Sequence, residues 1–357
     1  LTNIRIGSTL NNRVYFDWNA TAPLKQEAKT AMIGVMNELG NPSSIHAEGR
    51  AAKSVVEKAR EQVSEVFGAG SSEIIFTSGA TEAAKLALNN HNVKCAALEH
   101  PCILSNCENN LEVSKNGQVL VVDPDNSSVQ SANSETGILQ KLHGGIYLTD
   151  FVQSFCKIPT AFDWSGCKRG MLSAHKIGGP KGVGALVIKK GEEVQDLFNG
   201  GGQESGRRSG TENIVGIAGF GAAAVKAQKD LQEGVWEKVS KLRNLLEEGL
   251  EAIASEAIFI GRGLDRLPNT CCFSVPGWVG ETAVMQMDIA GYAISAGSAC
   301  SSGVVKKSSV LESLGYKSEI SECAIRVSLG PDNTEEEISK FIDVWGSYYR
   351  RFKAKAA

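Results

Sequence analysis

The chain has 357 residues, 42% of them hydrophobic, enough to bury a large core and to form one large and one smaller domain. Its 37 basic and 40 acidic side chains leave a formal charge of −3, so it lacks the global positive field that nucleic-acid binding usually needs. Nine cysteines without a CxxC pair argue against a disulfide framework or a zinc site, and no apolar run nears the roughly 20 residues that span a bilayer. The expectation is a cytoplasmic protein acting on a small molecule, with no nucleic-acid or membrane partner and no metal. The first residues fit it, since they show no apolar stretch behind a basic flank.

In chain order, Val55, Val56, Ala59, Val63, Val66 and Phe67 recur at helical spacing and end at Gly68, which predicts an amphipathic helix covering a core. The apolar run 73–77 then reads as a buried strand, followed by Ser78-Gly79-Ala80-Thr81-Glu82 and a helix through Asn89. Strand, small-residue turn and helix make a βαβ-like unit. Further strands are predicted at 94–98, 118–122, 145–149 and 183–188, and their separation by possible crossovers points to a mainly parallel α/β sheet. After a glycine-rich stretch at 200–210, residues 213–254 are helical in pattern, with short strands at 257–260, 270–275 and 292–296. The predicted division is a large domain over 15–232 and a small one over 233–357, joined by 1–14.

Chemistry concentrates at a few places. Ser173-Ala174-His175-Lys176 precedes a glycine-rich turn, where a partly buried lysine has its pKa lowered and becomes nucleophilic; an exposed loop lysine is the plainer use. Asp150 and Gln153 follow the strand at 145–149, on the side where an open α/β sheet holds its ligands. An aspartate there either keeps a cofactor's ring nitrogen protonated or caps a turn. Ser78 to Thr81 at a helix start offers N–H groups and a dipole to a phosphate, although many helices begin this way. His100 is placed either to lie on a flat cofactor and move protons or to fill a structural role. Cys300 stands among small polar residues, Ser295 to Gly303, unlike a cysteine that merely packs in a core. Arg326 sits inside an apolar run, suited to a substrate carboxylate or to a structural salt bridge.

Taken together, these residues resemble the cysteine desulfurases related to NifS and IscS, within the fold-type I pyridoxal-phosphate enzymes. The resemblance runs in order through Tyr15 to Thr21, Gly40 to His46 with Gly49-Arg50, Ser78 to Glu82, Glu99-His100, Asp150 with Gln153, and Ser173 to Lys176. It continues through Gly200 to Glu204, Arg207 to Asn213, the Cys300 segment and Arg326.

The resemblance implies an α/β fold-type I transferase with a large cofactor domain and a small α+β C-terminal domain. It makes Lys176 the lysine that carries pyridoxal 5'-phosphate, Asp150 the partner of the ring nitrogen, and Gln153 a donor to the phenolic oxygen. His100 stacks on the ring, while Ala80, Thr81, Ser173 and His175 hold the phosphate, with Thr211 reaching the other subunit of a homodimer. Cys300 takes sulfur from L-cysteine as a persulfide, leaving alanine, and Arg326 with Ser134 binds the substrate. The sulfur then passes to an acceptor protein such as an iron–sulfur scaffold. Other readings of the same motifs are a class V aminotransferase, a selenocysteine lyase, or an idle partner protein.

The sequence departs from the pattern at Ser134, where the family has asparagine, at a short stretch between His100 and Asn133, and at Phe151, where a small residue is common.

Overall fold

The structure is a computed structural model describing residues 13–198, 200–297 and 307–356. Its central sheet has five strands, in the spatial order Ser72–Thr77, Gly184–Lys189, Arg169–Ser173, Leu148–Asp150 and Ser128–Gln130. The last three pair in parallel, whereas Gly184–Lys189 is antiparallel to both of its neighbours. Four strands therefore share one direction and one opposes it, giving the mainly parallel sheet expected.

Alternation along the strands builds two cores. Ile74, Phe76, Ala185 and Val187 face the helices Gln26–Met36, Ala47–Val66 and Ile214–Gln232, and Ile75, Leu186 and Ile188 face Ala80–Leu88. Helices on both faces explain why these strands read as continuous apolar runs rather than alternating ones.

The helix expected from Val55 begins at Ala47, because Gly49 and Ala52 continue its buried stripe ahead of the first large apolar residue. The His46 ring caps it, accepting from Gly49 N at 3.4 Å. The long helical pattern at 213–254 is two helices, Ile214–Gln232 and Val235–Ile253, broken where Gly234 takes φ 71°.

The strand expected at 118–122 is absent. Ser114 N donates to Gln118 O at 2.8 Å and Leu120 N to Glu112 O at 2.9 Å, so the segment folds back on its own neighbour, leaving Val122 90% exposed. The strand expected at 94–98 is reduced to Lys94–Cys95, since Glu99 N turns back to Ala96 O. One short helix, Pro101–Leu104, comes after that turn. Phe151 points away from the sheet's ligand end and is buried against Phe67, with ring centroids 5.0 Å apart.

A second sheet, entirely antiparallel, orders Ser295–Ala296, Ala324–Ser328, Thr270–Ser274 and Ile258–Phe259. Together with Val235–Ile253 and Glu335–Ala356 it encloses a separate core containing Leu246, Leu250, Phe273, Phe341 and Trp345. Phe16 belongs to this core, and Val14–Tyr15 pairs in parallel with Tyr292–Ala293. From there the chain crosses to the central sheet, where Ala22 N bonds His175 O and Lys25 N bonds Gly178 O. Among the described residues no helix is long and apolar enough to cross a membrane.

Candidate functional site

A cavity of about 610 Å³ opens where the strands Leu148–Asp150 and Arg169–Ser173 end, between the central sheet and the crossing segment 19–21. Ala80, Thr81, His100, Ser134 and Asp150 line it, and so do Gln153, Ser173, His175, Lys176 and Arg326. Residues spread from 80 to 326 are thus brought to one place. A larger hollow of about 1020 Å³ lies elsewhere, beside the Arg60–Glu204 and Arg207–Glu73 ion pairs, and holds none of these groups.

One wall is the start of the helix Ala80–Leu88. Glu82 reaches back to accept from Ser78 N at 2.6 Å and is ion-paired with Arg208 at 2.8 Å, fixing the turn. Gly184 is required behind it, because a Cβ there would lie 2.6 Å from Leu172 O and 2.7 Å from the Gly79 carbonyl carbon. The first-turn N–H groups and helix dipole make this wall suitable for an anion.

The opposite wall is carboxyl and amide. Asp150 Oδ1 accepts from Val152 N at 2.8 Å. Burial pushes its carboxyl up to about 6, while the Val152 N–H and the charge of Lys176 act in the other direction. Gln153 donates from Nε2 to Asn19 O at 3.0 Å. Lys176, in the short turn after Ser173, donates to the same Asn19 O at 2.5 Å and to Ala20 O at 2.9 Å.

Burial disfavours the charged form of both histidines in the cavity. Burial, then the charge of Lys176, lowers His100, whose Nδ1 accepts from Cys102 N at 3.2 Å and therefore leaves Nε2 to carry the hydrogen. His175 is driven down to about 4 by burial, and then by Lys176, Lys181 and Lys157; its Nδ1 lies 3.1 Å from Thr21 Oγ1.

Arg326 is engaged in a salt bridge, donating to Asp17 Oδ1 at 2.7 Å and to Ser134 O at 3.0 Å. Its buried Nε has no hydrogen-bond partner among the described residues. Ser134 thus meets the site through its main-chain oxygen, which also accepts from Asn19 Nδ2 at 3.1 Å. Thr211 is exposed and lies outside the cavity, lining an adjacent pocket of about 200 Å³ with Ser78 and Gly182. Cys300 lies outside the described residues.

Sequence reasoning assigned no role to two central residues. Asn19, 1% exposed, donates from Nδ2 to Thr270 Oγ1 at 2.9 Å and accepts at Oδ1 from Asn269 at 3.0 Å and Lys157 at 3.1 Å. Its place within the family-like run Tyr15 to Thr21 was the available signal. Lys157, 2% exposed, carried none, because a lysine just before a polar loop looks like surface.

The family model described as Aminotransferase class-V matches residues 14–110 and 109–341. A cysteine desulfurase of Cereibacter sphaeroides is 37% identical, with 93% of this chain and 94% of that protein aligned. Cysteine desulfurase IscS of Dictyoglomus turgidum is 34% identical, with 94% of each chain aligned. The solved NifS-like protein of Rickettsia africae superposes with a TM-score of 0.85 at 30% identity, covering 95% of this chain and 99% of that one. The chain belongs to the cysteine desulfurase family, within the class-V aminotransferases.

The family's cofactor is pyridoxal phosphate, and the cavity fits it. A buried Asp150 carboxyl pushed up to about 6 would be held ionised by a cation set beside it, such as a protonated ring nitrogen. The helix start at Ala80 suits a phosphate. Lys176 supplies an amine in the same cavity.

Proposed function

We propose that this protein is a cysteine desulfurase, converting L-cysteine to L-alanine and delivering the sulfur, as a persulfide on Cys300, to an acceptor protein such as an iron–sulfur scaffold. The observation that carries the reading is the meeting of Lys176, Asp150, His100 and Arg326 in one cavity, in a chain of this family. Bound pyridoxal phosphate supplies an electron sink for charge developing at the substrate Cα.

The chain's own residues do the rest. Lys176 would carry the cofactor and, once substrate had taken its place, remove the Cα proton; in the cofactor-free chain the Asn19 and Ala20 carbonyls hold its amine at the cavity wall. Asp150 would keep the ring nitrogen protonated, and Gln153 would donate to the phenolic oxygen. His100 would lie against the ring, and with Nδ1 accepting from Cys102 N its Nε2 would carry a hydrogen to pass on. Thr81, Ser173, His175 and the backbone at Ala80 would hold the phosphate. Arg326, braced by Asp17, offers its remaining N–H groups to the substrate carboxylate, and Ser134 sits beside it. The Cys300 thiolate attacks the substrate sulfur, so that an S–S bond forms as the substrate's Cβ–S bond breaks and its electron pair stays on Cβ, which is then protonated.

A homodimer gives the exposed Thr211 its role, reaching a neighbouring subunit's phosphate. We place the protein in the cytoplasm.

Purified protein given pyridoxal phosphate, L-cysteine and a dithiol reductant is expected to release alanine and sulfide in equal amounts without a keto acid. Alanine formation that requires a keto acid would make the protein an aminotransferase instead. Cys300→Ser is expected to bind cofactor and cysteine yet release no alanine; release at the wild-type rate would remove Cys300 from the reaction.

A further inference from the structure

Lys157 is buried in the wall behind the cavity, and the partners of its amine are amide oxygens: Gln153 Oε1 at 2.8 Å and Asn19 Oδ1 at 3.1 Å. Among the described residues it makes no salt bridge. A buried amine with neutral partners is costly to keep, since an apolar side chain of the same length fills the space without desolvating a cation. Packing alone therefore does not account for a lysine here.

Its neighbours do. Gln153 bears nearly isosteric C=O and NH₂ ends, and which end faces the cavity is decided entirely by hydrogen bonding. An ammonium or amine N–H donates, so Lys157 draws Oε1 toward itself. The Gln153 Nε2 is thereby left toward Asn19, which also lines the cavity, where one hydrogen goes to Asn19 O at 3.0 Å and the second has no partner among the described residues. Without Lys157, Oε1 becomes a buried acceptor lacking its donor. Another donor is close, because Lys176 Nζ bonds the same Asn19 O that Gln153 does. Lys157 also holds Asn19, whose main-chain oxygen receives both groups, so that one amine braces two residues of the cavity wall.

We propose that Lys157 is a positioning residue that sets the orientation of the Gln153 carboxamide, so that the cavity is presented with an N–H donor rather than a carbonyl oxygen. This rests on reading the cavity as the pyridoxal phosphate site, with the Gln153 N–H directed at the phenolic oxygen. That donor favours the ionised oxygen, and its loss disfavours it.

The test uses the cofactor-loaded protein without cysteine and follows the pH midpoint of the cofactor's visible absorption change. Lys157→Met, of similar length and without a donor, is expected to raise the midpoint by about one pH unit, the scale of one hydrogen bond to a charged oxygen. Gln153→Met is expected to raise it similarly, and the double variant no further, because both act through one contact. Lys157→Leu checks that the shift comes from the lost donor. An unchanged midpoint in both Lys157 variants, alongside a shift in Gln153→Met, would show that Lys157 is only filling space. Additive shifts would mean that it acts through its charge and not through Gln153, which also overturns the proposal. If the unaltered protein takes up no pyridoxal phosphate at all, the reading of the cavity fails first, and this proposal falls with it.

Discussion

The carboxyl of Asp150 makes the cavity a place of conditional stability. In the cofactor-free protein its pKa is raised to about 6 by burial, so between 3.8 and 6 the folded state holds a proton that the unfolded chain has released. Stability therefore falls as pH rises through that window and is flat above it, by roughly 3 kcal/mol in all on an order-of-magnitude reckoning. Asp150→Asn is expected to make the cofactor-free protein more stable than the parent near pH 8, with the two converging near pH 4. Urea unfolding at the two pH values checks this, and equal stabilities at pH 8 would mean that the carboxyl is not burdened by burial. The same substitution is expected to weaken turnover, because an amide cannot hold a ring nitrogen protonated. Lys176→Ala, by contrast, is expected to abolish turnover altogether. Borohydride reduction of the loaded parent followed by peptide mapping should mark Lys176, and a mark on Lys157 or Lys181, both near it, would reassign the role.

Elements position these residues through close backbone approach, and that is where a small change does most. Gly184 brings the strand Gly184–Lys189 against the turn at Gly79, with no room for a Cβ between backbone atoms. Gly184→Ala is expected to cost about 1–3 kcal/mol of stability, as overpacking usually does, and to loosen the helix start at Ala80. Equilibrium dialysis of pyridoxal phosphate should show weaker retention, whereas Gly34→Ala, in the helix Gln26–Met36 with open space around it, should not affect retention. Normal retention in Gly184→Ala would show that the turn does not hold the phosphate. How much was legible depended on this kind of contact. The strand–turn–helix at 72–88 was readable because each part carries its own local signal, and so was the Lys176 turn. The segment at 118–122 was misread because a short apolar run gives no sign of whether it pairs with the sheet or with its own neighbour. Arg326 was readable as a buried charge, but not its bond to Asp17, a residue 309 positions away. Lys157 was invisible because nothing local distinguishes a buried lysine from an exposed one.

At the scale of the whole molecule, the segment Val14–Lys25 ties the two cores together and carries the cavity wall between them. Phe16, fully buried, packs edge-on against Phe341 in the C-terminal core with ring centroids 5.6 Å apart, and Asn19 comes three residues later at the cavity. Trp18 between them lies flat on the backbone at Gly330, so closely that a Cβ there would enter its ring at 1.9 Å. The division proposed near residue 233 is therefore crossed by a short, tightly packed strap rather than a free linker. Cofactor binding should then depend on how that strap is anchored and not on the C-terminal core in general. Phe16→Ala and Leu250→Ala both open a void in the same core, and each is expected to cost about 2–5 kcal/mol in unfolding experiments. Only Phe16→Ala is expected also to weaken pyridoxal phosphate retention, by about tenfold or some 1.4 kcal/mol, because it frees the Asn19 carbonyl that receives Lys176 and Gln153. Measuring the dissociation constant of both variants at a temperature where each is folded separates the two effects. If the two lose cofactor equally, or neither does, the strap is a packing element alone and the site is held entirely by the central sheet.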